Sequence, residues 1–184
     1  MPNVVLSSRL TNNDSVFLQE WIKPSVRPYY LKNEKTKFWP EQRELVTDLL
    51  EHDIIESAFQ TALNPAPQRF VRIVKFHRVN DYTVYATIRD STALILCYFT
   101  VDCVLDYETI NNDRITLNTL NTLFVIGNVT LQFWNHRECK LWFNQDFPGL
   151  RMVPVLKIEK ARMFDRDQIS SNVQFEWVYD TLHG

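Results

Sequence analysis

The chain has 184 residues, of which 45% are hydrophobic and 13% aromatic, enough apolar material for the core of one domain. Its formal net charge of −2 lacks the positive balance typical of nucleic-acid-binding domains. Because its three glycines are scattered at positions 127, 149 and 184, neither a glycine-rich phosphate loop nor a dinucleotide-binding fingerprint can form, which argues against enzymes that handle nucleotides.

The first 68 residues are predicted to be an extension outside the main fold. Residues 16–22 form a short amphipathic piece, and residues 23–39, with two prolines and many lysines, indicate an exposed connection. Pro40 suits the first position of a helix, where its missing N–H would be unpaired in any case. Apolar residues then recur at helical spacing, so we predict a helix over about 40–59.

Five strands are predicted in the remainder, at about 69–78, 82–89, 93–101, 123–134 and 152–158. The first two form a hairpin around an Asn80-Asp81 turn, and the third, apolar on both faces, should be central and buried. Gly127 indicates a bend or bulge in the fourth strand. Residues 102–122 should hold the helical segment of a five-stranded OB barrel, a fold that mostly binds single-stranded nucleic acid, sugars or proteins.

A helical region is predicted over about 165–181, starting at Asp165. The whole chain, residues 1–184, is therefore expected to be one mainly β domain. Its OB barrel spans about 69–158 and carries peripheral N-terminal and C-terminal helices.

The predicted first strand is basic, and aromatic residues follow it closely. Such a mixture is typical of single-strand binding, in which cations contact phosphates and rings stack on bases. It is also typical of an exposed barrel strand that charge keeps soluble, and the alternation of residues does not separate the two faces of the strand. The basic residues are Arg69, Arg72, Lys75 and Arg78, and the aromatic ones Phe76, Tyr82 and Tyr85.

The cysteines Cys97, Cys103 and Cys139 are odd in number and form no Cys-x-x-Cys pair, which argues against a secreted disulfide framework. His136 and Cys139 have a spacing that could suit a metal, but no second pair lies nearby, so we expect no metal and no cofactor. No apolar run approaches the ~20 residues of a membrane span, and no secretory signal is visible. We expect a reduced, cytoplasmic or nuclear protein without membrane contact.

Two places attract interest as interaction sites. Asp90 ends the second strand, and Arg114 precedes the fourth, so the two could form a bidentate ion pair in an OB barrel. Alternatively, Asp90 merely caps the turn that follows it. Trp21 is flanked by polar residues, which suggests a partly exposed interface anchor, although a lone tryptophan is usually part of the core.

The hairpin resembles that of the third protein of the Ever Shorter Telomeres group, a small telomerase accessory subunit of budding yeasts. The likeness recurs in the N-terminal residues 14–23, in Met152-Val-Pro-Val-Leu and in the segment 164–169, and Arg114-Ile-Thr stands at the family's spacing after Asp90. The stretch 25–66 does not share it. The region around Trp21 also resembles the opening of the telomerase-recruiting OB domain of mammalian shelterin.

This resemblance implies a non-enzymatic regulatory subunit of telomerase, nuclear and telomeric, within a ribonucleoprotein. It would bind the reverse-transcriptase subunit and another telomerase accessory protein to promote telomere extension. The main rival is a module that binds single-stranded telomeric DNA or RNA, and a nucleotide hydrolase is a remoter one. Direct nucleic-acid contact is otherwise expected to be secondary.

By the same resemblance, one recruitment surface would gather Trp21, Arg72, Asp90, Arg114, Asn118, Thr119, Asn121, Asp167 and Ile169. Asp90 and Arg114 would be its structural ion pair. Two positions depart from the family pattern. Arg72 stands where lysine is expected, which keeps the charge. Asn118 stands where an acid is expected, and this departure removes one negative charge.

Overall fold

The computed structural model describes residues 18–36, 45–46, 69–116, 119–166 and 174–183. No helix within these residues is both long and apolar enough to cross a membrane. The elements in chain order are α1 (Ile22–Thr36), β1 (Leu45–Val46), β2 (Phe70–Asn80), β3 (Thr83–Arg89), β4 (Ala93–Phe99), α2 (Val101–Asn111), β5 (Leu123–Trp134), α3 (His136–Phe143), β6 (Val153–Asp165), β7 (Glu176–Trp177) and a 3-10 helix (Val178–Thr181).

Strands β2 to β6 close into a five-stranded barrel, which confirms the predicted OB fold. β2, β3 and β4 pair antiparallel in sequence order, and β4 then pairs parallel with β6. β6 is antiparallel to β5, which returns to β2. The predicted strands agree with the observed ones to within a few residues, except that β6 continues to Asp165 because it pairs along the full length of β5.

The β2–β3 hairpin turns one residue later than predicted, at Asp81 and Tyr82. Both residues have a left-handed backbone, with φ of 47° and 67°. A two-residue loop with positive φ at both positions is the turn whose twist matches that of the flanking strands.

The barrel interior follows the expected alternation of strand residues. Val84, Ala86 and Ile88 of β3 point into the main core. β4 is buried on both faces, as predicted for the central strand: Leu96 is as buried as Ile95. The bend predicted at Gly127 lies at its neighbour Asn128, whose φ is 50°.

α1 corrects the N-terminal prediction, because the stretch expected to be an exposed connection is a helix. Ile22, Val26 and Tyr30 lie four residues apart on one helical face, and all three are fully buried. Pro24 is tolerated because it lies in the first turn, where backbone N–H groups have no helical partner. Pro28 removes one helical hydrogen bond on the exposed side. The described residues before Ile22 are not helical.

Two other predicted helices are wrong where the structure describes them. Leu45 and Val46, within the predicted helix 40–59, form a strand that pairs with β5. In the predicted region 165–181, Asp165 ends a strand, and residues 176–181 form β7 and a 3-10 helix. β7 finds a partner because β4 pairs with β6 only at its end, leaving its start free. Residues 166, 174 and 175 are not helical, and residues 40–44, 47–59 and 167–173 lie outside the described residues.

Tyr179 completes the hydrogen bonding along the β4–β6 seam. Its hydroxyl accepts a hydrogen bond from the backbone N–H of Leu96 (3.0 Å) and donates one to the carbonyl of Pro154 (2.6 Å). Leu96 lies between the part of β4 that pairs with β7 and the part that pairs with β6. The C-terminal segment therefore belongs to the barrel wall, and burial raises the pKa of the Tyr179 hydroxyl well above its usual value.

We expect Tyr179→Phe to lower the free energy of unfolding by about 1–3 kcal/mol, because it leaves two buried backbone groups without a partner. Tyr29→Phe, on the exposed side of α1, is the matched control and should change it by less than about 0.5 kcal/mol. Urea unfolding measures both. Equal stability of the two variants would mean that the hydroxyl does not secure the seam.

Candidate functional site

The carboxylate of Asp90 is fully buried and accepts four backbone hydrogen bonds. One oxygen accepts from the N–H groups of Trp21 (2.7 Å) and Ile22 (2.8 Å), at the start of α1. The other accepts from those of Thr92 and Ala93, both at 2.8 Å, in the turn before β4. A single side chain thus caps a helix nearly seventy residues earlier in the chain and shapes the turn that follows it.

The predicted ion pair between Asp90 and Arg114 is wrong. The Arg114 side chain is 61% exposed and contacts Glu108 at 3.2 Å. Its guanidinium also lies 5.9 Å from the ring centroid of Tyr82, in the hairpin turn before β3. Asp90 follows the opposite end of β3, about 20 Å away at the rise of a strand. The hydrogen bonds of Asp90 instead match the alternative interpretation, in which it caps the following turn.

Trp21 is buried, so the expectation of a partly exposed ring is wrong. Only 5% of the residue is accessible. Its indole N–H donates to the carbonyl of Phe70 (3.0 Å), and the guanidinium of Arg69 lies 5.8 Å from the ring. Because Asp90 also holds its backbone N–H, the ring packs against the barrel while Gln19 and Glu20 face solvent.

Arg72 is also buried, with 1% of the residue accessible, which corrects the expectation of an exposed strand cation. Its guanidinium donates to the backbone carbonyl of Asn121. The N–H of Asn121 donates in turn to the carbonyl of Ile73 (2.8 Å), and the half-buried Asn121 has a φ of 63°. Of the basic strand residues, Lys75 and Arg78 are the exposed ones, because β2 is fully buried only over its first four residues, 70–73.

Thr119 belongs to the same turn and is fully buried. Its N–H and hydroxyl both donate to the carbonyl of Thr116, at 2.8 and 2.6 Å. The hydroxyl of Thr122 donates to the carbonyl of Thr119 (2.5 Å). The remaining predicted partner residues, Asn118, Asp167 and Ile169, lie outside the described residues.

Five of the predicted residues meet at one end of the barrel, formed by the start of α1, the start of β2, the end of β3 and the turn before β5. Arg72 lies opposite Arg89 in the β2–β3 ladder, and Arg89 is adjacent to Asp90. We call this region the Asp90 end; its predicted members are Trp21, Arg72, Asp90, Thr119 and Asn121. Because most of them are buried, they support the surface above them more than they form it.

Four further residues, Arg89, Phe175, Thr92 and Glu20, belong to the Asp90 end and were not predicted. Arg89 is almost fully buried, and its guanidinium lies 4.1 Å from the ring centroid of Phe175. On the surface, the hydroxyl of Thr92 donates to a carboxylate oxygen of Glu20 (3.0 Å). In the sequence, only the position of Arg89 immediately before Asp90 could have indicated that it belongs to this site.

The outer face of the β3–β4 sheet is occupied by the chain itself. Tyr85 stacks on Trp142 of α3, with ring centroids 5.0 Å apart, and packs edge-on against Phe143. Leu94 pairs with Trp177 of β7 at the edge of β4, and the ring of Phe175 lies over the Arg89 guanidinium, 4.1 Å away. OB folds bind oligonucleotides on this face. Here α3 and the C-terminal segment cover it, so single-strand binding in the usual groove is disfavoured.

His136 and Cys139 have structural roles. The Nε2 atom of His136 lies 2.6 Å from the carbonyl oxygen of Leu150. Cys139 is fully buried, which raises the pKa of its thiol to about 12. In the part of the chain that the structure describes, no group of three His, Cys, Asp or Glu side chains is arranged to hold a metal.

His77 is a half-buried base in the contact between β2 and α3. Its Nε2 lies 2.6 Å from the Thr87 hydroxyl, and its ring meets Phe143 edge-on. Burial, reinforced by the charge of Lys75, lowers the pKa of His77 to about 4. His77 is therefore neutral at physiological pH.

We expect Asp90→Asn to lower the free energy of unfolding by about 3 kcal/mol or more, because an amide replaces one accepting oxygen with a donor that faces backbone N–H groups. The matched control is Asp102→Asn, an exposed acid in the first turn of α2, which should cost less than about 1 kcal/mol. Chemical denaturation measures both. Similar losses in the two variants would contradict the proposed role of Asp90.

Protonation of His77 should destabilise the fold in acid. Because its folded pKa is depressed, its contribution is complete above the unfolded pKa of about 6.5 and is lost as pH falls toward about 4. When the pH is lowered from about 7.5 to about 4.5, the free energy of unfolding should fall by about 1–3 kcal/mol less in His77→Gln than in the parent. Urea unfolding at both pH values tests this. Parallel losses would mean that another group controls the acid response.

The comparisons with known proteins agree with this fold. Residues 18–179 match the family model described as "Shelterin complex subunit, TPP1/ACD". The Telomere replication protein EST3 of Eremothecium gossypii is 36% identical over 98% of this chain and 90% of its own length. The Candida glabrata protein of that name is 33% identical over 99% of this chain and 100% of its own length.

A solved structure shares the fold at low sequence identity. The Est3 telomerase subunit of the yeast Hansenula polymorpha superposes with a TM-score of 0.60 at 17% identity, over 91% of this chain and 82% of that one. Together with the OB barrel, these matches show that the chain belongs to the EST3 family of telomere replication proteins, within the TPP1/ACD family of shelterin subunits.

Proposed function

We propose that the chain is a non-enzymatic regulatory subunit of telomerase that binds the reverse-transcriptase subunit through the surface over the Asp90 end. The observation that carries this proposal is the convergence of four separate segments of the chain at this end, which bring together Trp21, Arg72, Asp90, Thr119 and Asn121. The family membership supports the telomerase context. In this proposal the chain also binds a second accessory protein and acts in the nucleus, at telomeres.

The chemistry of the Asp90 end supports a binding role. Both oxygens of Asp90 accept backbone hydrogen bonds, and Arg72 donates to a backbone carbonyl. Groups held in this way fix the geometry of α1 and of the turn at Asn121. A fixed surface loses little conformational entropy when a partner binds, which favours affinity.

A protein partner fits the structure better than a nucleic acid does. The OB face is covered by α3 and the C-terminal segment, and two of the strand cations, Arg69 and Arg72, are wholly or partly buried. The net charge of −2 adds no general attraction for phosphates. Contact with telomeric DNA or RNA is therefore secondary in this proposal.

The test uses a side chain that can be removed without disturbing the scaffold. Asn121→Gly keeps the left-handed backbone and both backbone hydrogen bonds of residue 121, so the fold should survive. We expect it to weaken association with the telomerase reverse-transcriptase subunit about tenfold, as loss of a central interface side chain does. Lys32→Glu, on the exposed side of α1, is the control and should bind as the parent does.

Co-purification with the catalytic subunit reports binding, and thermal melting reports folding. If folded Asn121→Gly binds like the parent and like Lys32→Glu, the proposed surface is wrong. If only binding to a telomeric single-stranded oligonucleotide is lost, with a steep dependence on salt, the nucleic-acid function takes its place.

A further inference from the structure

The exposed side of α3 carries an unusual combination of side chains. Leu141 is 58% exposed, and the cations Arg137 and Lys140 flank it. At 100° per residue, these three positions fall within about 100° of the helix circumference. Trp142 borders them and lies 5.2 Å from the guanidinium of Arg78, on β2. We call this set the α3 face: Arg78, Arg137, Lys140, Leu141 and Trp142.

The α3 face is basic in a chain whose net charge is −2. Among the ion pairs of the described residues, none neutralises Arg137 or Lys140. The exposed Lys75 on β2 adds to the positive potential. Two acids lie close in sequence to members of the face: Glu138, in the first turn of α3, follows Arg137, and Asp81, in the hairpin turn, follows Arg78 by three residues.

We propose that the α3 face is a docking site for an acidic protein segment that carries a large apolar side chain, such as one acidic amphipathic helix. Leu141 supplies an apolar contact, and the flanking cations supply charge complementarity, which governs partner choice and association rate. An exposed leucine between two cations that form no ion pair with the described residues is a feature that such a segment can recognise.

A single-stranded nucleic acid fits this face less well. Base binding needs an open aromatic surface. The ring of Trp142 is already stacked on Tyr85, with an interplanar angle of 18°, and engaged by Arg78. The exposed side chain at the centre is Leu141, which has no π system. These observations favour a protein segment.

The site is distinct from the Asp90 end. α3 packs on Tyr85, which lies five residues before Asp90 along β3, about 16 Å at the rise of a strand. The two surfaces are therefore formed by different residues, and the proposal goes beyond the one for the reverse-transcriptase subunit.

The test measures binding of synthetic probes to the full chain by fluorescence anisotropy. The probe is a labelled glutamate-rich helical peptide of about 15 residues with one row of leucines. Matched probes replace its leucines by serine or its glutamates by lysine, and a single-stranded oligonucleotide of equal charge represents nucleic acid. We expect salt-dependent binding of the glutamate–leucine peptide. The other probes should bind at least about tenfold more weakly, because loss of one anchoring contact lowers affinity by roughly this factor.

Variants locate the binding. Arg137→Glu with Lys140→Glu, and separately Leu141→Ser, should each weaken peptide binding about tenfold. The matched control is Lys32→Glu with Lys35→Glu on α1, which should bind as the parent does. Because an acid near the end of α3 opposes the helix dipole, Arg137→Gln with Lys140→Gln provides a second, milder variant if the first fails to fold.

Four results would overturn the proposal. The first is the absence of saturable binding of the glutamate–leucine peptide to the folded parent chain. The second is equal binding of the serine-substituted peptide, and the third is an equal effect of the α1 and α3 variants. The fourth is tighter binding of the oligonucleotide that the α3 variants abolish, which would make this face a nucleic-acid surface.

Discussion

The buried carboxylate of Asp90 is the interaction on which the rest of the structure depends. Hydrogen bonds to a charged group contribute about 1.5–3 kcal/mol each, and Asp90 accepts four from backbone N–H groups. They join the start of α1 to the turn between β3 and β4. Trp21, the first residue in that cap, is thereby placed against β2, so the geometry of the proposed telomerase surface depends on one side chain.

The second constraint is the covered outer face of the barrel. α3 lies over Tyr85, and Tyr179 and β7 join the C-terminal segment to the β4 edge. Other OB folds expose this face to oligonucleotides. In this chain the surfaces that remain open for binding are at the ends of the barrel and along α3. Those surfaces combine fixed backbone with exposed polar, charged or apolar side chains, which suits recognition of proteins.

Local patterns predicted the barrel well. Strand alternation and the hairpin turn depend on neighbouring residues, so strand positions were accurate to a few residues. α1 was missed because its two prolines suggested a connection, although Ile22, Val26 and Tyr30 carried the helical spacing. The Asp90–Arg114 pair failed because the real partners of Asp90 are backbone N–H groups, which no residue type marks. Trp21 was misjudged from its polar neighbours in sequence, because its burial depends on a distant carboxylate.

The most direct test of the central claim is amide hydrogen exchange of the chain, free and bound to the purified telomerase reverse-transcriptase subunit. Binding over the Asp90 end predicts added protection in residues 18–22, at the start of β2 and in the turn 119–122. Unchanged exchange in all three segments, with protection confined to other parts of the barrel, would contradict the account.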